Sequence, residues 1–546
     1  MMIQNHIQTL SGAKAIIKAL KSIGVDTIFG YPGGIVLKLY DEIYNQSNIK
    51  HILMRHEQSA VHAAEGYARA SGKCGVVLVT SGPGATNTIT GIVNAYLDGY
   101  PLIVLTGQVD KNLIGKDAFQ EANICDMVKS CTKATFQITD ANGIEKIITD
   151  AHNIAMSGKK GPVLIDMSKN IFTQNIEFKN EEKQYQKNNS LCSPAKVERI
   201  YTKIINSKKP LIVIGGGVNH SKCTKQLTEF IKKFNIPAVS TMMGLGAFST
   251  ENKNYIGMIG IFGDKSANEA LRQSDCIISL GARFNDRITC ILEEDILNNK
   301  VIQIDINDNE IARNFTPKDY MVCDITDFFD KINNFNNSVF PKQFELWNKE
   351  TEEFKKLNTE PQKISNMIHS FEVIKKLDEY TKDKSVIFTS EVGQHQLWAV
   401  KNLELNSDRK ILVSGGSGTM GFGLPAAIGA SIANPNKTII CITGDGSLQM
   451  TLGELAVCNE YGLNIKIILL NNGYLGMVRQ LQEKNCQKRY SQTKLSNPDF
   501  EKLTQSFGIE SIKVNSVSNI EKAYEKAFSN DKTFLINFEI EPMETV

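Results

Sequence analysis

The chain has 546 residues, 42% of them hydrophobic and 22% charged, with a formal net charge of +2. That length is too great for one core and suits about three domains, while the even charge balance excludes the basic surface that nucleic acid or an anionic membrane requires. No stretch reaches the ~18 apolar residues of a membrane span, and 11 scattered cysteines without CxxC pairs, most inside apolar segments, point to reduced, buried thiols in a cytoplasmic protein rather than to a disulfide framework.

The amino end, MMIQNHIQTLSGAKAIIKAL, lacks the apolar core and cleavage pattern of a secretory signal and reads as a short lead followed by an amphipathic helix. From there, short Val/Ile-rich runs alternate with glycine turns and helical patterns. DTIFGYPGG (26–34), CGVVLVTSGPG (74–84), PLIVLTGQ (101–108) and GPVLIDM (161–167) outline a first domain predicted over 1–178. A charged stretch poor in large apolar groups, 179–194, is a predicted linker. PLIVIGGG (210–217), CIISLGARF (276–284) and VIQIDIN (301–307) outline a middle domain over 195–340. A Lys/Glu-rich stretch with some helical character, 341–366, is a second predicted linker. SVIFTSEVG (385–393), KTIICITGDG (437–446), IKIILLNN (465–472) and TFLINFEI (533–540) outline a third domain over 367–546. Apolar strand runs separated by helices predict an α/β protein of three doubly wound parallel-sheet domains. Ligands of such sheets bind beyond the carboxyl ends of the strands, where the YPGG, TSGPGATN, GGG, GARF, VGQH and GDG turns fall.

The most informative of these turns is Gly444-Asp445-Gly446, with Asn471-Asn472 beginning 25 positions after Gly446. An Asp-Gly turn alone would be read as a turn and nothing more. Here a strand ends in a carboxylate and the next strand ends in a carboxamide. These are hard oxygen donors, of the kind that Mg²⁺ shares with diphosphate oxygens. Glycines on both sides let backbone N–H groups approach the phosphates, and the start of the following helix adds positive potential.

The pattern resembles the signature of thiamine diphosphate (ThDP) enzymes. RHEQ…AAEGYARASGK, TSGPGATN, TGQV, GKDAFQEA, SLGARFNDRIT, SEVGQHQLW, SGGSGTMGFGLPAAIGA, GDGSLQMTLGEL and NNGYLGMVRQ follow the order found in acetohydroxyacid synthases, the acetolactate synthase large subunits, along nearly the whole chain. The resemblance implies a catalytic Glu57 against the pyrimidine ring, with Phe119 and Gln120 of AFQEA beside it. It implies Mg²⁺ on Asp445, Asn472 and the backbone carbonyl of Tyr474. ThDP would be held by Val392, Gly393, Gln394, His395, Gly418, Met420, Gly446, Ser447, Gly476 and Met477, with Met420 as the wedge that bends it. FAD would lie in the middle domain on Lys159, Gly215, Gly216, Gly217, Gly281, Arg283, Asp305 and Asp324. Arg287, Lys169 and Leu481 would face the second substrate. The first domain of one subunit would meet the third domain of another, so Glu57 and Asp445 would come together in a homodimer or homotetramer, with a small regulatory subunit as a further partner.

The chain departs from the family around the acceptor. Leu481 stands where the family has Trp, Ile35 where it has a small residue, Asp110 where it has Pro, and Asn285 where it has Asp. Ser168-Lys169-Asn170 replaces PKD, and Gly260-Ile261-Phe262-Gly263 replaces GMHG. Lys159 replaces an Arg of the flavin site and cannot reproduce its planar fork, so FAD stands against ADP or an unfilled middle domain. The expected reaction is condensation of two pyruvates to 2-acetolactate and CO₂. The alternatives are transfer of the same two-carbon unit to a keto-sugar or aldehyde, and a non-catalytic binding subunit.

Overall fold

The computed structural model describes residues 7–46, 48–179, 192–335 and 343–546. Within these residues lie three six-stranded sheets, and every strand pair in them is parallel. The first runs Lys50–Leu53, Thr27–Gly30, Gly75–Val79, Leu102–Gln108, Pro162–Ser168, Ala134–Ile138 across the sheet. The second runs Tyr255–Met258, Ala238–Ser240, Pro210–Ile214, Cys276–Leu280, Val301–Asp305, Asp319–Val322. In the third the order is Lys410–Val413, Val386–Ser390, Thr438–Gly444, Ile465–Asn471, Phe534–Glu539, Glu510–Val514. The central strands are apolar and buried along their length, as sheets covered on both faces demand.

In each sheet the chain winds away from its first strand on one side and then crosses to the other, and this reversal opens a crevice between two strand ends. In the first sheet the crevice lies between Gly30 and Val79, at YPGG and TSGPG. In the second it separates Ile214 from Leu280, at GGG and GARF. In the third it separates Ser390 from Gly444, at VGQH and GDG. Every turn singled out in the sequence thus borders a switch point.

Ile7–Ser11 pairs antiparallel with Asn175–Lys179, tying the start of the first domain to its end. The first and third domains meet through helices Glu57–Ser71 and Gly423–Ala433. A Cβ on Gly66 would fall on the carbonyl oxygen of Ala426, and one on Gly429 on that of Ala63, so the backbones touch directly.

Most of the predicted linker 179–194 lies outside the described residues. The stretch 341–366 contains the helix Glu345–Phe354, which packs on helix Lys265–Gln273 of the middle domain and whose Trp347 Nε1 donates to the Pro210 carbonyl at 2.8 Å. The expectation that all cysteines are reduced is corrected at one pair. Cys192 and Cys323 form a disulfide across 131 positions of sequence, with Cα atoms 5.3 Å apart. Cys192 precedes the helix Pro194–Ile205 and Cys323 follows the edge strand Asp319–Val322, so only the tertiary fold brings them together. The other cysteines are free.

Candidate active site

The third domain carries one pole of the site. Asp445 opens the short helix Asp445–Gln449 at the end of strand Thr438–Gly444 and is 2% exposed. Its Oδ2 accepts from Gly473 N at 2.9 Å and from Asn497 Nδ2 at 2.6 Å. Burial raises the carboxyl above its ordinary value, and a bound cation would counter that by favouring the charged form. Asn472 follows strand Ile465–Asn471, and its Oδ1 accepts from Tyr474 N at 2.9 Å. Gly446 is ringed by Leu475, Leu495 and Met420; a Cβ there would stand 2.9, 3.3 and 3.6 Å from them. Ser447 is buried beside it.

Gln394 and His395 begin the helix Gln394–Asn402 directly after Glu391, Val392 and Gly393. Gln394 Nε2 donates to Gln480 Oε1 at 2.7 Å and to the Glu544 carbonyl at 3.0 Å, while its Oε1 lies 3.5 Å from Asn472 Nδ2. His395 is buried, and its Nε2 lies 3.3 Å from Glu391 Oε1 but off the hydrogen-bonding direction, so that atom has no bond among the described residues. A Cβ on Gly476, the first residue of helix Gly476–Asn485, would collide with Gln394 Oε1. A narrow cradle, an orphaned ring nitrogen and one carboxylate with carboxamide and carbonyl oxygens fit a diphosphate with its cation. Among the described residues no cluster of three His, Cys, Asp or Glu could hold a metal alone.

The other pole lies in the first domain. Glu57 is the first residue of helix Glu57–Ser71, which is capped by His56 Nδ1 accepting from Gln58 N at 3.1 Å. It is half-buried, and its Oε2 accepts from Asn87 Nδ2 at 3.0 Å. Close by, the buried hydroxyls of Thr80 and Ser81 have no partner among the described residues. Gln120 stands at φ +62° with its backbone packed against Gly82, a Cβ there lying 2.9 Å from its carbonyl oxygen. Phe119 is 88% exposed and projects away from the domain. Glu57 and Gln120 thus border one loop cluster, while no hydrogen bond joins Glu57 to Asp445 or Asn472 within the described residues.

Three supports for these poles escaped the sequence. Glu454 of the third domain accepts from Arg55 N with both carboxylate oxygens, each at 3.2 Å, and so fixes the backbone just before Glu57. Burial pushes its carboxyl up to about 7. Asp98 accepts from Gly415 N at 3.1 Å and Gly416 N at 2.6 Å, and Arg69 Nη1 donates to the Val413 carbonyl at 2.8 Å. With Glu65, these side chains form a dry ion-pair network that anchors the loop leading to Gly418 and Met420. Asn497 is the third. Its nearest signal is the NPD turn 497–499, which says nothing about a partner 52 positions away.

A cavity of about 690 Å³ joins the three domains. Lys159 and Asp98 line it from the first domain, and Gly216, Gly217, Gly281, Arg283, Arg287, Asp305 and Asp324 from the middle one. Val392, Gly393, Gly418, Met477 and Leu481 line it from the third. At the middle switch point Gly217 N donates to Gly281 O at 3.0 Å, and Gly215 abuts Ala282, leaving no room for side chains. Asp305, pushed up to about 6 by burial, accepts from Asn307 N at 2.9 Å. Asp324 caps helix Ile325–Ile332 through Thr326 N at 2.8 Å. Lys159 Nζ lies 3.5 Å from Glu310 Oε1. A glycine crevice with an acid one strand away is the geometry of a nucleotide-binding switch point. Of the acceptor residues, Arg287 and Leu481 share this cavity, whereas Lys169 is exposed at the end of strand Pro162–Ser168 and is not part of its lining.

Comparison with known proteins gives the class first. The families described as thiamine pyrophosphate enzyme N-terminal TPP binding domain, central domain and C-terminal TPP binding domain match residues 10–127, 197–332 and 391–538. The acetolactate synthase large subunit of Haemophilus influenzae is 38% identical over 551 residues, covering 99% of this chain and 96% of its own. That of Lactococcus lactis is 41% identical over 546 residues, covering 98% and 93%. The isozyme 2 large subunit of Escherichia coli K12 is 37% identical over 539 residues, covering 98% and 97%. The chain belongs to the acetolactate synthase large-subunit family of ThDP enzymes.

Proposed function

We propose that this chain is the catalytic subunit of an acetolactate synthase, converting two molecules of pyruvate into 2-acetolactate and CO₂. The observation that carries the reading is the near end-to-end match to acetolactate synthases in a chain that keeps Glu57, Asp445 and Asn472. Asp445, Asn472 and the Tyr474 carbonyl would hold Mg²⁺. Gln394, His395, Gly446, Ser447, Gly476 and Met477 would hold the diphosphate. Gly418 and Met420 would face the pyrimidine and thiazolium rings, with Val392 and Gly393 lining the approach. ThDP, when bound, supplies the electron sink that makes loss of CO₂ from a 2-oxoacid feasible.

Glu57 exchanges a proton at its carboxyl oxygens, its Oε2 oriented by Asn87. Phe119 and Gln120 close over that carboxyl when a second subunit adds its third domain, so the working unit is a homodimer or a higher homo-oligomer. Arg287 binds the carboxylate of the second 2-oxoacid, and Lys169 adds positive charge near it. Leu481, which is 45% exposed on the cavity wall, gives a wider acceptor pocket than an indole would. Since a methylene is worth only about 1–3 kcal/mol even in a well-fitted pocket, preference for 2-oxobutyrate over pyruvate is weak. FAD occupies the middle-domain crevice on Gly215–Gly217, Gly281, Arg283, Asp305 and Asp324, with Lys159 in a reduced role. The relatives are named large subunits, which supports a small regulatory partner. No helix among the described residues is long and apolar enough to cross a membrane, and we place the protein in the cytoplasm.

The test is product analysis with [1-¹³C]pyruvate, ThDP, Mg²⁺ and FAD. Labelled CO₂ and 2-acetolactate labelled at its carboxyl carbon, in equal amounts, are expected from pyruvate alone. Turnover that requires an added keto-sugar or aldehyde would replace acetolactate synthase with another carboligase.

A further inference from the structure

Asn497 belongs to neither the motif nor the ligand set, yet it is bonded directly to the metal-side carboxylate. Its Nδ2 donates to Asp445 Oδ2 at 2.6 Å and to Asn471 Oδ1 at 2.9 Å, and its Oδ1 accepts from Gln449 Nε2 at 2.9 Å. Gln449 Nε2 also donates to the Asp445 carbonyl at 3.1 Å. The amide therefore has only one sensible orientation. Exchanging its oxygen and nitrogen would set a donor against Gln449 Nε2 and an acceptor against a carboxylate.

The segment carrying Asn497 is itself strapped to the other half of the pole. Leu475 N donates to Thr493 O at 2.7 Å, and Leu495 N to Gly473 O at 2.8 Å. Asn472 and Tyr474 lie within or beside the strapped stretch. One side chain thus spans the ends of both strands that deliver the oxygen donors, Thr438–Gly444 through Asp445 and Ile465–Asn471 through Asn471. With Gly473 N on the same oxygen at 2.9 Å, Asn497 fixes Oδ2 and with it the plane of the carboxylate.

We propose that Asn497 is a positioning residue that presets the Asp445 carboxylate for a divalent cation, through its bond to Oδ2 and its tie to Asn471. The proposal rests on Asp445 being a cation ligand, the reading given above. A partner that orients a metal ligand typically changes metal affinity by about 10–100-fold when removed.

The experiment is Mn²⁺ binding, read by electron paramagnetic resonance at saturating ThDP, on the full-length wild type and on Asn497→Ala. A rise of about 10-fold or more in the Mn²⁺ Kd is expected, with metal-free thermal unfolding little changed. The Mg²⁺ concentration for half-maximal turnover should rise in parallel, and saturating Mg²⁺ should restore most of kcat. Asn497→Ser keeps a polar group too short to reach Oδ2 and should repeat the result if the alanine variant does not fold. An unchanged Mn²⁺ Kd, or a kcat loss that Mg²⁺ does not rescue, overturns the proposal. Asp445→Ala separates the two readings. If it binds Mn²⁺ like wild type, Asp445 is no ligand and the proposal falls with that reading. If wild type binds Mn²⁺ tightly yet forms no acetolactate, the functional reading fails while the positioning role stands.

Discussion

The two carboxylates at the heart of this chain are built in opposite ways. Asp445 is nearly sealed, with donors from a backbone amide and a carboxamide on one oxygen. Glu57 is half-buried, with Asn87 as its bonded donor and two buried hydroxyls nearby still unpaired. The difference teaches that one chain finishes the surroundings of Asp445 and leaves those of Glu57 open. An incomplete carboxyl pocket is what a subunit assembled face to face with another copy would present, in line with the homo-oligomer proposed above.

The sharpest way to break the comparison is at Glu57. Glu57→Gln removes proton exchange while preserving shape, and turnover should fall about 10²–10⁴-fold with ThDP retention unchanged in calorimetry. Equal loss of ThDP binding would mean that Glu57 anchors the cofactor rather than working on it.

The next largest effect is on stability. Arg69→Met leaves Glu65 and Asp98 as uncompensated buried charges, which should cost about 3–5 kcal/mol in urea unfolding and loosen the loop that bears Gly418 and Met420. A loss below about 1 kcal/mol would show that the network is no anchor.

A smaller effect is expected at the cavity wall. Leu481→Trp should shift acceptor choice towards 2-oxobutyrate by no more than the ~1–3 kcal/mol that a methylene can supply, measured by competition between the two 2-oxoacids. No shift would remove Leu481 from the acceptor pocket.

The smallest effect concerns pH. Burial raises Glu454 from an ordinary value of 4.5 to about 7. The folded state therefore binds the proton more tightly than the unfolded chain, so its contribution is full below about 4.5 and is lost as pH rises through about 7. Glu454→Gln should flatten this part of the stability curve between pH 5 and 8. A curve parallel to wild type would mean that Glu454 titrates normally.

Much of the architecture was readable because parallel strands buried on both faces write themselves as unbroken apolar runs, such as LIVLTG (102–107) and LIVIG (211–215). The spacing from Gly446 to Asn471 likewise survived into geometry, since both ends are fixed by neighbouring strands of one sheet. What stayed hidden depends on contacts between distant segments. Asn497, Glu454 and Asp98 are ordinary polar residues until the fold sets them against Asp445, Arg55 and Gly416. The same holds for Cys192 and Cys323, which lie 131 positions apart with no paired spacing to announce a disulfide. Asp324 was read as a ligand residue, and the fold also employs its side chain as a helix cap.

The glycine contact between helices Glu57–Ser71 and Gly423–Ala433 constrains how this molecule can breathe. With main chain against main chain at Gly66 and Gly429, no side chain lies between the helices to act as a bearing, so the outer two domains turn as a single block. The large chamber is walled by all three domains. Any widening of it therefore falls to the middle domain.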